Sequence, residues 1–302
     1  MDLMETVSPA ARRRAQRSQR WRDRRALFVP DATVIDPAAY AVDVIGPALA
    51  RAFVVRHHYA GSFPAARLSL GLFGPGPAGR SQLVGVAAFS VPINDRCVAR
   101  HTGLPEPRAG ADLGRFVLLD EVAGNGETWF LARAFRLLRR EKPEIEAVIA
   151  YSDPMPRVGP GGRLASPGHI GAVYRDFGRG LAYRGRARPR TEHVTPDGRV
   201  FSARAASKIR GGERGFAYAV DELVRRGAPA PTGDDLRGWY DGLAASGFLR
   251  PRRHPGNHVY TFALTQRARV ASRPLPALAP PGRRSAAWGS EASHLEPLGA
   301  AA

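Results

Sequence analysis

The chain has 302 residues, 44% of them hydrophobic, which is enough to bury a full core in one large domain or two smaller ones. A formal charge of +18 asks for an acidic partner, and nucleic acid is the commonest. The single cysteine, Cys97, excludes an internal disulfide framework and a cysteine-cluster zinc site. No apolar run approaches the ~20 residues of a bilayer span, so a soluble, intracellular protein is expected.

In chain order, residues 1–25 form an Arg-rich arm that should stay disordered until it meets a polyanion. Residues 12–25 hold eight arginines against Asp23, and residues 175–214 hold eleven Arg/Lys against four Asp/Glu, so each tract supplies +7. Residues 48–55 predict a short helix leading into His57-His58-Tyr59. Residues 67–73 and 83–91 are strand-like and joined by GPGPAGRSQ, a hairpin pattern. The tract 113–154 reads as strand, polar turn, amphipathic helix and strand. Apolar residues 116–119 are too few for a helix; Gly124, Asn125 and Gly126 break the chain; Phe130, Leu131, Ala134, Phe135, Leu137 and Leu138 then recur at helical spacing until Pro143. Residues 145–150 form the second strand, ending in Tyr151-Ser152-Asp153. Such a unit favours a parallel crossover, and it would set 119–121 beside 151–153 on one rim where ligands bind.

Beyond it, residues 167–177 predict a second helix, 182–194 and 199–203 strands about a Pro-Asp-Gly turn, and 216–226 and 234–245 two helices. The tract PRRHPGNHVYTFAL reads as a basic hairpin with Pro255-Gly256-Asn257 at its turn. Four regions follow: the arm 1–25, a catalytic domain 26–210, a basic helical and hairpin extension 211–267, and a tail 268–302.

Chemistry concentrates at few places. Adjacent His57 and His58 cannot point the same way, so one packs and one faces a site as proton shuttle or metal ligand, with Tyr59 as proton donor or stacking ring; the alternative is a capping cluster. Asp120, Glu121 and Asp153 at strand ends can act as bases or pair with arginines. Ser152 can hydrogen-bond a substrate but lacks the Gly-x-Ser-x-Gly setting of a hydrolase. Gly168-His169-Ile170-Gly171, at the predicted helix start, offers amides to an anion. His58, His169 and a carboxylate could also make a two-histidine metal site.

The succession HHYAGSFP, strand hairpin, LGRFVLLDEVAGNGETWFLARAFRLLRR, AYSDP and PGHIGAVY resembles the Mom family of bacteriophage DNA-modification proteins over about residues 50–210, and HPGNHVYTFAL resembles the end of such proteins. The resemblance implies an α/β (α+β) fold remotely related to the Gcn5-related N-acetyltransferases, a mixed sheet flanked by helices. It implies a transferase in the cytoplasm of a bacterial host cell that converts adenine in double-stranded DNA to a carbamoylmethylated adenine on its exocyclic amine, shielding the DNA from restriction. The roles it carries over are catalytic for His58, Tyr59, Asp120, Ser152 and Asp153, and substrate-binding for His57, Arg115, Asn125, His169 and Tyr174. Gly124, Gly126 and Gly168 would hold the cofactor, and no metal ligand is assigned. AGNGETW departs from the acyltransferase pyrophosphate loop, Arg/Gln-x-x-Gly-x-Gly/Ala, so the group donor stays open between acetyl-coenzyme A and another carbamoylmethyl donor, with iron a candidate metal. Two rivals stand beside this reading: an ordinary acetyltransferase acting on a protein or small amine, and a non-catalytic DNA-binding protein.

Overall fold

The computed structural model describes residues 35–76, 80–122 and 125–281, together with the backbones of two short antiparallel strands, Ala15–Arg17 (β1) and Phe28–Pro30 (β2). The rest of the predicted disordered arm, Gly124, and the tail from residue 282 lie outside the described residues.

Strands β3 (Ala41–Val44), β4 (Ala66–Pro75) and β5 (Ser81–Ser90) form an antiparallel run, with helix α1 (Pro47–His57) between β3 and β4. Helix α2 (Arg96–Thr102) leads to β6 (Gly110–Leu118), and α3 (Gly126–Glu141) then crosses to β7 (Ala147–Ser152). The predicted apolar stripe is the buried face of α3: Phe130, Leu131, Ala134, Phe135 and Leu138 are covered, and the Phe135 ring meets Phe89, Phe177 and Phe262 at 5.1–6.1 Å. Each such side chain taken from water contributes roughly 1.5–3 kcal/mol.

The pair β6–β7 is parallel, as the strand–helix–strand pattern predicts. It is short, however, running only from Gly110–Ala147 to Asp112–Ile149. Beyond it β6 stays with β5 as far as Leu118, across a bulge at Ala88/Phe89 that bends the ladder, while β7 runs on to Ser152 paired only with β14, its neighbour along its whole length. Asp120 therefore lies eight residues past the last shared pair and Asp153 four, and the expected common rim does not form.

After β7 come a small ladder of β8 (Arg157–Val158) and β9 (Leu164–Ser166), helix α4 (Ala172–Phe177) and strand β10 (Leu181–Arg186). Helix α4 is shorter than predicted, because Gly168 and Gly171 hold φ of +80° and +74°, left-handed values that a right-handed helix excludes. The Gly168 amide is taken by Ser166 Oγ at 3.2 Å, so this glycine does not open the helix towards an anion.

The chain next builds a second core. Strands β11 (Arg190–Val194) and β12 (Val200–Phe201), helices α5 (Ala203–Gly211), α6 (Phe216–Arg225) and α7 (Leu236–Ala245), and strand β13 (Arg250–His254) enclose Phe201, Ile209, Leu223, Tyr240, Leu243 and Leu249. Asp235 caps α7 as its acidic start predicts, accepting from Gly238 N at 2.8 Å. The basic tract at the end does not close as a hairpin. Strand β13 pairs with β11 in a three-stranded sheet, whereas β14 (His258–Ala263) enters the main sheet between β10 and β7. Gly256, at φ +92°, permits this crossing: a Cβ there would lie 1.9 Å from the Ala187 carbonyl oxygen.

The main sheet is thus seven-stranded, β10-β14-β7-β6-β5-β4-β3, mixed but mostly antiparallel, with helices against it. Residues expected to start a tail form helix α8 (Gln266–Ser272), with Ala268 buried, and Leu278 N still bonds Tyr183 O at 2.9 Å. No helix among the described residues is long and apolar enough to cross a membrane.

Candidate active site at the end of strand β7

Helix α1 ends where His58 adopts an extended backbone, and a turn closes from Gly61 N to His58 O at 3.0 Å. The adjacent histidines diverge as their spacing requires. His57 lays its ring 4.6 Å from Phe53 within its own helix, and His58 stacks on Tyr59 at 4.3 Å. The Ala60 amide donates to His58 Nδ1 at 3.1 Å, so the proton of the neutral ring sits on Nε2. Burial, with Arg115 and His169 beside it, drops the His58 pKa to about 3. At neutral pH this ring is a hydrogen-bond donor with no spare lone pair.

Arg115 fixes the turn from the sheet side. Its Nε donates to Ser62 O and a terminal nitrogen to Ser62 Oγ, both at 2.8 Å. Arg115, on β6, reaches the site; Asp120, beyond the end of β6, follows Leu119, whose amide bonds Val84 on the β5 side.

His169 stands edge-on to Tyr59, with ring centroids 6.2 Å apart, and its backbone amide donates to Asp153 O at 2.7 Å. No hydrogen bond reaches its ring nitrogens from the described residues. Burial lowers its pKa, opposed by the charge of Asp153. Tyr59, 38% exposed, is the open ring of the group; burial and Asp153 raise its hydroxyl pKa.

Asp153 is saturated with donors. Burial pushes its pKa up, but the bonds from His254, the Met155 amide and Arg157 outweigh that and hold it below the usual range. Met155 N and His254 Nε2 each lie 2.9 Å from Oδ1, and Arg157 Nε donates to Oδ2. Arg157 also forks onto Glu192 at 2.8 and 2.9 Å, where Arg190 and Arg252 join. Burial alone would raise the Glu192 pKa; the arginines bring it to about 2. Such a buried network fastens β7 to β11 and β13, and removing one partner strands the others.

Behind these groups, fully buried Ser152 has no hydrogen-bond partner for its Oγ among the described residues. It lies under Gly171, where a Cβ would come within 2.3 Å of that oxygen. Tyr174 is buried with its ring 5.6 Å from Tyr260, whose hydroxyl donates to Ile170 O.

The structure therefore brings together His58, Tyr59, Arg115, Ser152, Asp153, His169 and Tyr174. Asn125 stands apart at the start of α3, a non-glycine residue at φ +62°, with its carbonyl accepting from Trp129 N at 3.0 Å; Gly126 is the buried first residue of that helix. Sequence reasoning missed Arg157, Glu192 and His254. The last was visible as the first histidine of HPGNH, but its partner was not. Among the described residues no three His, Cys, Asp or Glu side chains come together to hold a metal ion, so these residues do not fit the iron the resemblance suggested.

The end of strand β7 in a mixed α/β sheet thus gathers an imidazole pair, a tyrosine and a fixed aspartate. The chain belongs to the Mom protein family, whose model matches residues 39–214. No curated protein matches it. Among solved structures it is similar to malonyl-CoA decarboxylase from Rhodopseudomonas palustris at 15% identity, covering 80% of this chain and 65% of that one, with a TM-score of 0.28. That value is too low to carry an argument about fold or function.

Proposed function

We propose that this chain is a DNA-modifying transferase that converts adenine to a carbamoylmethylated adenine on its exocyclic amine, with Tyr59, His58 and His169 around the extruded base. The observation that carries the reading is the Tyr59 ring, open on one side and bracketed by two neutral imidazoles of different hydrogen-bonding state. A base stacks on such a ring, and an enzyme acting on adenine N6 must first take the base out of the duplex.

In this reading His58 Nε2–H donates to the base and His169 takes the amine proton, since its ring nitrogens are unbonded and burial keeps it neutral at pH 7. The N6–C bond forms with the methylene carbon of a carbamoylmethyl donor as that donor's leaving group departs. Asp153 is a positioning residue: it holds the His169 backbone and Arg157 and has no capacity left to act as a base.

Nucleoside mass analysis of DNA from bacterial cells expressing the chain tests this directly. Deoxyadenosine carrying a carbamoylmethyl group is expected, and none from cells expressing His169→Gln, although that variant still binds DNA. Unmodified deoxyadenosine together with acetylated amines would replace this reading with the ordinary acetyltransferase. Full modification by His169→Gln would remove the role given to His169.

A further inference from the structure

A groove of about 1400 Å³ runs between the main sheet and the second core. One wall is α2 and the floor is Asp112 and Tyr151; the other wall comes from α5, α7 and the β10–β11 connection. Eight arginines line it against three carboxylates, Asp112, Glu192 and Glu213. The carboxylates do not neutralise them: Glu192 is already shared by Arg157, Arg190 and Arg252, and Glu213 pairs with Arg204. Arg96, Arg100, Arg188 and Arg237 are exposed and have no ion-pair partner among the described residues. Arg96 and Arg100 sit four apart on one short helix, where like charges repel unless an anion lies between them and solvent. Arg157 lines this groove and also bonds Asp153, so the groove adjoins the candidate site.

We propose that this groove is the track of the DNA phosphate backbone, with Arg96 and Arg100 on one wall and Arg188 and Arg237 on the other gripping the strand that flanks the extruded base. The inference rests on the reading that duplex DNA is the substrate, and it places one of the four gripping arginines, Arg237, on α7, outside the residues the family model matches. Guanidinium groups suit phosphate because they present paired donors and stay charged at any physiological pH.

Binding of the full chain to a short labelled duplex, followed by fluorescence anisotropy over a range of KCl, decides it. The variant with Arg96, Arg100, Arg188 and Arg237 all changed to Gln is compared with one in which Arg51, Arg80, Arg136 and Arg140 are changed to Gln, an equal loss of charge elsewhere on the exposed surface. Each phosphate contact contributes about 0.9 to the log–log salt slope, so the groove variant, with four contacts removed, should lose up to about 3.6 from its slope and more than about tenfold in affinity, and the control less than about threefold. Equal losses in the two variants, or wild-type binding by the groove variant, overturn the proposal. Because anisotropy needs no turnover, failure of the adenine chemistry would leave this result standing, and failure of the groove would leave modified adenine to be found in cells.

Discussion

Asp112 shows how far burial can move a single group. It is 8% exposed on the floor of the groove, and one carboxyl oxygen has no hydrogen-bond partner among the described residues. Burial pushes its pKa from 3.8 up to about 7, with the Ile93 amide opposing. The folded protein thus holds this proton where the unfolded chain has lost it, so stability is fully present below about pH 4 and falls as pH rises to about 7. The loss is on the order of 4 kcal/mol at 1.36 kcal/mol per unit. Asp112→Asn should match the wild type at pH 4 in urea denaturation and exceed it at pH 8. Parallel pH profiles for the two proteins would show that the carboxyl is not held neutral. His58 works in the opposite sense: its folded pKa of about 3 lies below the unfolded value of 6.5, so its contribution is lost as pH falls through that window. Neither shift was legible in the sequence. Only the tertiary packing that buries Asp112 creates its shift.

At the scale of elements, sequence patterns located most pieces and failed where a piece depended on a distant partner. The stripe of α3 and the strand–helix–strand order follow from local periodicity, and they held. The start of α4 did not, because nothing local reveals that Gly171 must sit at φ +74° against Ser152 and Tyr260. Gly171→Ala should therefore cost about 2–4 kcal/mol from left-handed strain plus overpacking, read as a lowered urea midpoint with unchanged slope. An unaltered midpoint would mean that the segment shifts freely and that the close approach of Gly171 to Ser152 does not hold it. The candidate site was legible in the same uneven way. His58, Tyr59, Ser152, Asp153 and His169 stood out as polar residues at element ends, whereas Arg157 and Glu192 were hidden among many charges. Asp120 was misplaced because two strands that begin side by side part after three pairs.

For the molecule as a whole, the surprise was the path of the chain after β10. The basic tract 251–264 looked like one hairpin and serves two sheets, since local turn chemistry cannot show which strand a segment pairs with. The second core begins at the end of β10 and finishes at the start of β14, and those two strands are neighbours in the main sheet. Replacing residues 188–256 by a two-residue Asn-Gly turn should then join β10 to β14 directly. The shortened protein should keep cooperative unfolding and lose both tight DNA binding and modified adenine. A shortened chain without a cooperative transition would show instead that the Asp153–Arg157–Glu192–His254 network is indispensable to the main sheet.

The same connectivity bears on movement. A unit held by two chain crossings rooted in adjacent strands cannot swivel freely as one on a single linker would. The two crossings meet at residues 187 and 257, where Ala187 N bonds Asn257 O at 2.8 Å. Arg157 makes a third tie, bonded to Asp153 on one side and Glu192 on the other. Any shift of the second core against the main sheet is therefore felt, through one guanidinium, by the aspartate that seats His169.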